Sequence, residues 1–144
     1  MLAVATLQAA VLFLLSSLHV YWALGGRRGL AVAVPQREPG GPPAFIPGAP
    51  ITFAVAAGLA LGGVVALGLG RCLQPQYVPD SWLRVLGAAG AVAFGARALG
   101  DFRLVGFFKK VRGTPFARWD SALYSPLCAL LAAGWLALSL RSYR

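Results

Sequence analysis

Acidic side chains are scarce in this chain. Four Asp and Glu stand against 13 Lys and Arg, with one His and two Cys. That scarcity excludes several chemistries. A metal site needs His, Cys or acids clustered at ligand spacing, and the sequence has no such cluster. Cys72 and Cys128 form no CxxC, which argues against a thiol–disulfide enzyme. They also fall at different depths in the layout below, which argues against a bridge. Cys128 reads as a small buried apolar residue. No GxGxxG or P-loop is present, and Gly25-Gly26-Arg27-Arg28-Gly29 follows an apolar run rather than a strand. Ser125 stands before Pro126 without a GxSxG frame. Neither a cofactor nor a metal is expected.

What the chain has instead is apolar surface. Of its 144 residues 58% are hydrophobic and 12% charged, and mean hydropathy is +0.71. A soluble domain this small cannot bury so much apolar area, so the composition is that of an integral membrane protein. The length fits one domain over 1–144. Apart from Arg84 and Arg97 near the ends of one run, the basic residues behind the net charge of +9 lie outside the long apolar runs. That charge reads as topology and lipid-headgroup contact, not as the basic stripe of a nucleic-acid binder.

Four runs are long enough to cross a bilayer: about 2–24, 50–70, 82–100 and 121–140. The expected fold is an all-α bundle of four transmembrane helices. The first run has no basic residue before it and is too long for a signal-peptide core, so it reads as a retained span. Pro50 suits the first position of the second helix. Gly58 and Gly62 form GxxxG, and Gly87, Ala91 and Gly95 repeat at four-residue spacing. Both are small faces that suit close helix packing or a homo-oligomer. Arg84 and Arg97 sit near the ends of the third run, where they can snorkel to headgroups. Pro126 either kinks the fourth helix or starts it after a Ser125 cap. The middles of the spans carry no acid, which disfavours a small proton-coupled exporter.

The first connection, 25–49, is rich in Gly and Pro and is expected to lie along the interface without a regular helix. The stretch 101–120 interleaves Phe102, Phe107, Phe108, Phe116 and Trp119 with Arg103, Lys109, Lys110, Arg112 and Arg118, a mixture suited to the membrane interface. Eight Lys and Arg lie in the first and third connections. Arg71, Arg141 and Arg144 lie on the other side, with Arg84 just inside the membrane. The positive-inside rule then puts the first and third connections in the cytoplasm and both termini outside. The Ala, Gly and Arg bias suits a GC-rich bacterial genome, and the expected location is then the bacterial inner membrane.

Antiparallel spans bring the scarce polar residues to one leaflet. His19 and Trp22 end the first span, Arg97 and Asp101 end the third, and Asp120 and Tyr124 begin the fourth, with Arg103 close by. Each has a plain structural reading. Arg97 and Asp101, four apart on a helix, suit a mutual pair. Asp120 suits a helix N-cap. His19 suits a hydrogen bond to a backbone carbonyl, to Asp101 or to Asp120. Tyr21, Trp22, Trp82, Trp119 and Tyr143 suit interfacial anchoring. Taken together they form a half-polar pocket for a lipid-like molecule, lined by His19, Trp22, Arg97, Asp101, Arg103, Asp120 and Tyr124. With His19, Asp101 or Asp120 as proton carrier, the same group is an acid–base site. A third reading is a structural or accessory membrane protein packing through the small faces. Whether the protein is an enzyme stays open on the residues alone.

The chain resembles a family of small bacterial membrane proteins known as domain of unknown function 3995. The similarity rests on His19-Val20-Tyr21-Trp22-Ala23-Leu24-Gly25-Gly26 and Val34-Pro35. It also rests on Gly100-Asp101-Phe102-Arg103, Gly106-Phe107-Phe108-Lys109-Lys110, Thr114-Pro115-Phe116-Ala117, Asp120, and Tyr124-Ser125-Pro126-Leu127-Cys128. The resemblance implies a four-helix integral membrane protein. It brings no activity, cofactor or catalytic residue.

Overall fold

The computed structural model describes residues 1–73 and 78–140. Arg141, Tyr143 and Arg144, counted above for orientation and anchoring, lie outside them. The described residues are helical, apart from connections and one isolated bridge between Gln36 and Pro43. Among the described residues, four helices are long and apolar enough to cross a membrane: α1 (Leu2–Ala23), α3 (Ala49–Leu69), α4 (Asp80–Leu99) and α5 (Pro115–Ser139). A short α2 (Leu30–Ala33) interrupts the first connection, where no regular helix is expected from sequence.

The burial pattern is that of a protein dissolved in lipid. Leu7, Leu14, Ile51, Val92 and Leu130 point outward, while the packed centre holds Ala5, Ala9, Leu12, Ala66, Leu69, Trp135 and Leu138. Lipid gives apolar groups little reason to turn inward, so the interior is mixed: Ala5, Ala9 and Ala66 allow close backbone approach, and Trp135 with Leu12, Leu69 and Leu138 fills the rest. α1 packs chiefly along α3, and α4 along α5; contacts between the two pairs are sparser.

Several polar side chains inside the spans hydrogen-bond within the protein, as hydrocarbon favours, while Ser125 Oγ, Trp135 Nε1 and Ser139 Oγ are enclosed without a partner among the described residues. Thr6 Oγ1 donates to Leu2 O (3.1 Å) and Ser17 Oγ to Phe13 O (2.9 Å), each one turn back. Ser16 Oγ crosses to Ala56 O on α3 at 2.8 Å, and Gln8 Nε2 reaches Leu131 O on α5 at 3.2 Å.

α5 departs from the sequence expectation. It begins at Pro115, capped by Thr114, whose hydroxyl accepts from Ala117 N at 3.0 Å. It runs on through Pro126. Pro126 has no N–H for the carbonyl of Ala122. The helix meets this by widening into a π-turn over Asp120–Tyr124, where Ser125 N donates to Asp120 O. Asp120 is therefore inside the helix and not its N-cap, and Ser125 does not start a new one.

Candidate functional site

α4 ends at Leu99 because Gly100 turns left-handed, at φ 89°. The chain then loops back on the helix end. Phe107 N donates to Ala98 O at 2.8 Å and Phe108 N to Leu99 O at 3.5 Å, so carbonyls at the end of α4 find donors. Gly100 and Gly106 meet backbone to backbone. A Cβ on Gly100 would strike Val105 O, and one on Gly106 would strike Leu99 O, so both positions demand glycine.

Asp101 holds this loop from inside. Its Oδ1 accepts from Arg103 N (2.9 Å), Leu104 N (2.7 Å) and Val105 N (3.0 Å). Burial alone would raise its carboxyl pKa, but the backbone donors together outweigh that and hold it below the usual carboxylate value. Asp101 lies past the end of α4 and does not pair with Arg97, correcting the i,i+4 expectation. Arg103 is exposed and joins the loop through its backbone, donating to Asp101 and accepting from Lys110 N and Val111 N.

The closed loop delivers two donors to Asp120, which is fully buried. Gly106 N and Lys109 Nζ each lie 2.9 Å from Asp120 Oδ2. Arg97 Nη2 reaches Oδ1 at 2.8 Å from α4. Lys109, charged yet only 3% exposed, spends its remaining donors on Gly106 O (3.0 Å) and Ser121 Oγ (2.8 Å). A carboxylate and an ammonium buried this deeply persist only as hydrogen-bonded partners. Lys109 is the functional residue that sequence reasoning missed. In the sequence it is one cation among several in 101–120. The one signal was its place in Gly106-Phe107-Phe108-Lys109, just after a glycine that must sit against α4.

Two cavities flank the C-terminal end of α1. The larger, about 580 Å³, lies between α1, α2 and α5, with Arg97 reaching it from α4. His19, Trp22, Arg97 and Tyr124 all line it, as does Cys128, a free thiol. Asp101, Arg103 and Asp120 do not line it. The smaller cavity, about 390 Å³, lies between α1, the first connection and α3, and shares His19, Trp22 and Ala33 with the larger.

The shared wall is firmly placed. His19 Nδ1 lies 2.8 Å from Leu15 O, and a carbonyl only accepts, so Nδ1 carries the proton. In the neutral ring Nε2 is then an acceptor. The Trp22 indole packs edge-on to His19 at 5.2 Å and donates to Arg28 O at 2.9 Å. Tyr124 OH donates to Val32 O at 3.3 Å, tying α2 to the π-turn. α2 thus forms one side of both cavities.

The family described as Protein of unknown function (DUF3995) matches residues 12–135. The chain belongs to this family. No curated protein and no solved structure matches it. The part matched to DUF3995 holds both cavity walls and the whole Asp120 cluster, while Gln8 lies before it.

Proposed function

We propose that this DUF3995 protein binds a small amphiphile drawn sideways from the bilayer, with membrane lipids as its surroundings and source. The observation that carries this reading is the larger cavity. Its volume falls within the usual range for ligand sites, roughly 300–1,000 Å³. Leu15, Leu127 and Leu131 give it an apolar wall, and Arg97, His19 and Tyr124 supply polar groups at one end. Leu18 and Leu123 at its edge are exposed, so it opens toward lipid.

The test is mass spectrometry of small molecules retained by the purified protein, against a His19→Ala, Tyr124→Phe variant. Neither change touches the Asp120 ion pairs. A species enriched in the parent and lost from the folded variant supports a site. Identical bulk-lipid profiles sink it.

One observation favours an enzymatic variant of this reading. The Nδ1–H tautomer leaves His19 Nε2 as an acceptor on the cavity wall, whereas Asp101 and Asp120 do not line the cavity and Asp120 is held by Arg97, Lys109 and Gly106 N. His19→Gln would then abolish turnover of a lipid-like substrate while leaving retention intact; unchanged turnover excludes the role. In the accessory-protein reading, Gly58 borders an open groove that a partner or second copy would enter: a Cβ there meets nothing within 4 Å, whereas one at Gly62, Gly87 or Gly95 meets this chain's own side chains.

For orientation, the cation count favours a bacterial inner membrane with the first and third connections cytoplasmic and the termini outside. Single cysteines placed at Glu38 and Gly113, in a chain freed of Cys72 and Cys128, should resist impermeant thiol reagents in intact cells. Ready labelling reverses the assignment.

A further inference from the structure

The Asp120 cluster does not balance its charge. One carboxylate faces two cations, Arg97 and Lys109, and a net positive charge remains in a largely apolar setting. Such a charge calls for a counter-ion or water. The two cations are not equivalent. All three Lys109 donors are used, on Gly106 O, Asp120 Oδ2 and Ser121 Oγ. Arg97 gives Nη2 to Asp120, while its Nη1 is enclosed by protein and has no acceptor. About a third of the Arg97 side chain stays open (34%), and it lines the larger cavity. The unsatisfied cation and the empty volume therefore meet at one residue.

Resting on the binding role proposed above, we infer that the occupant of this cavity carries an oxyanion head, a carboxylate or a phosphate, on a single apolar chain. The head sits at Arg97, drawing the guanidinium toward it so that Nη1 gains an acceptor and the excess charge is neutralised. Guanidinium suits this task because its planar fork presents donors to two acceptors at once, leaving Nη2 on Asp120. The chain lies along Leu15, Leu127 and Leu131, toward the lipid-facing edge. The Trp22 and Trp119 rings line the same cavity. No acid lines it, and Asp120, the acid behind Arg97, is already met by Arg97, Lys109 and Gly106 N.

Native mass spectrometry of the full chain in neutral detergent tests this. The probes are laurate, dodecyl phosphate, monolaurin, dodecyltrimethylammonium and inorganic phosphate. Laurate and dodecyl phosphate should bind about tenfold or more tighter than monolaurin, and dodecyltrimethylammonium should not bind. Arg97→Lys keeps a cation for Asp120 but loses the fork. It should weaken the two anions about tenfold and leave monolaurin unchanged. Ala33→Trp, which fills the wall shared by both cavities, should remove every chain-bearing probe. If Arg97→Lys does not fold, the ranking of the probes on the parent decides alone.

Equal binding of laurate and monolaurin, both lost in Ala33→Trp, overturns the oxyanion head and leaves the amphiphile reading standing. Binding unaffected by Ala33→Trp overturns both. Saturation by inorganic phosphate that displaces laurate, at affinities no weaker than the chain-bearing anions, overturns the chain and makes Arg97 a site for a free anion.

Discussion

The two helix pairs of the bundle are built in opposite ways. α1 and α3 meet along a seam of small residues. A Cβ on Gly63 would strike the Phe13 ring, one on Gly70 would strike Ala5, and Ser16 hydrogen-bonds across to Ala56. Nothing in that seam carries a charge. α4 and α5 share a similar seam at one end, where the Trp135 ring lies over Gly90 and beside Gly87. At the other end they are pinned by the Arg97–Asp120–Lys109 cluster. Packing without ions thus suffices to join spans in lipid. The ions appear where a backbone loop must be held against a helix end and where a cavity opens. The cluster is explained by that local task better than by general stability, because buried ion pairs often stabilise no more than apolar packing would.

That contrast can be broken, and the largest effect is expected at Asp120. Asp120→Asn leaves Lys109 buried without its counter-charge and should cost about 3–5 kcal/mol, read as a lowered unfolding midpoint in neutral detergent. Adding Lys109→Met should recover part of the loss. An Asp120→Asn protein as stable as the parent would mean that the cluster does not hold the loop. Next come the seams. Gly63→Leu or Gly87→Leu should cost about 1–3 kcal/mol by overpacking, while Gly58→Leu, facing open space, should stay within about 0.5 kcal/mol. Equal costs at Gly58 and Gly63 would undo the distinction between the filled seam at Gly63 and the open groove at Gly58.

Gln8→Leu removes the amide that ties α1 to α5 and should cost about 0.6–2 kcal/mol, checked in the same unfolding assay. The smallest effect is expected at Asp101. Its pKa is lowered in the folded protein, so its contribution is present above the unfolded value of about 3.9 and is lost as pH falls through the folded value. Amide exchange at Arg103, Leu104 and Val105 should therefore rise, relative to intrinsic rates, only below about pH 4. Asp101→Asn should remove that acid-side change; a change that persists in the variant would assign it to another group.

The spans were legible because hydropathy over about 20 residues is a strong signal that needs no tertiary contact to read. The gathering of His19, Trp22, Arg97 and Tyr124 on one cavity was legible for a related reason: successive spans run in opposite directions, and that alternation fixes which ends share a leaflet. The pairings were not legible. Arg97 and Asp101 looked like helix neighbours because four-residue spacing suits a pair, and the backbone donors that take the Asp101 carboxylate instead come from a loop whose closure depends on Gly100 meeting Gly106. Lys109 looked like a headgroup anchor because burial of a cation depends on where the loop lands. Asp120 looked like a cap because the π-turn that keeps the chain helical through Pro126 leaves no clear mark in local propensity.

The sequence by itself determined the solvent of this protein. Length, apolarity and the position of rare polar residues specify a four-span membrane chain with one polar end, since these are properties of segments taken singly. Tertiary structure alone decided which charges are paired, which cation keeps a spare donor and where a cavity remains. Those depend on loop closure at Gly100 and Gly106 and on the packing of α2 against α5. Contacts between residues far apart in the chain fix both, and no local pattern encodes their energies.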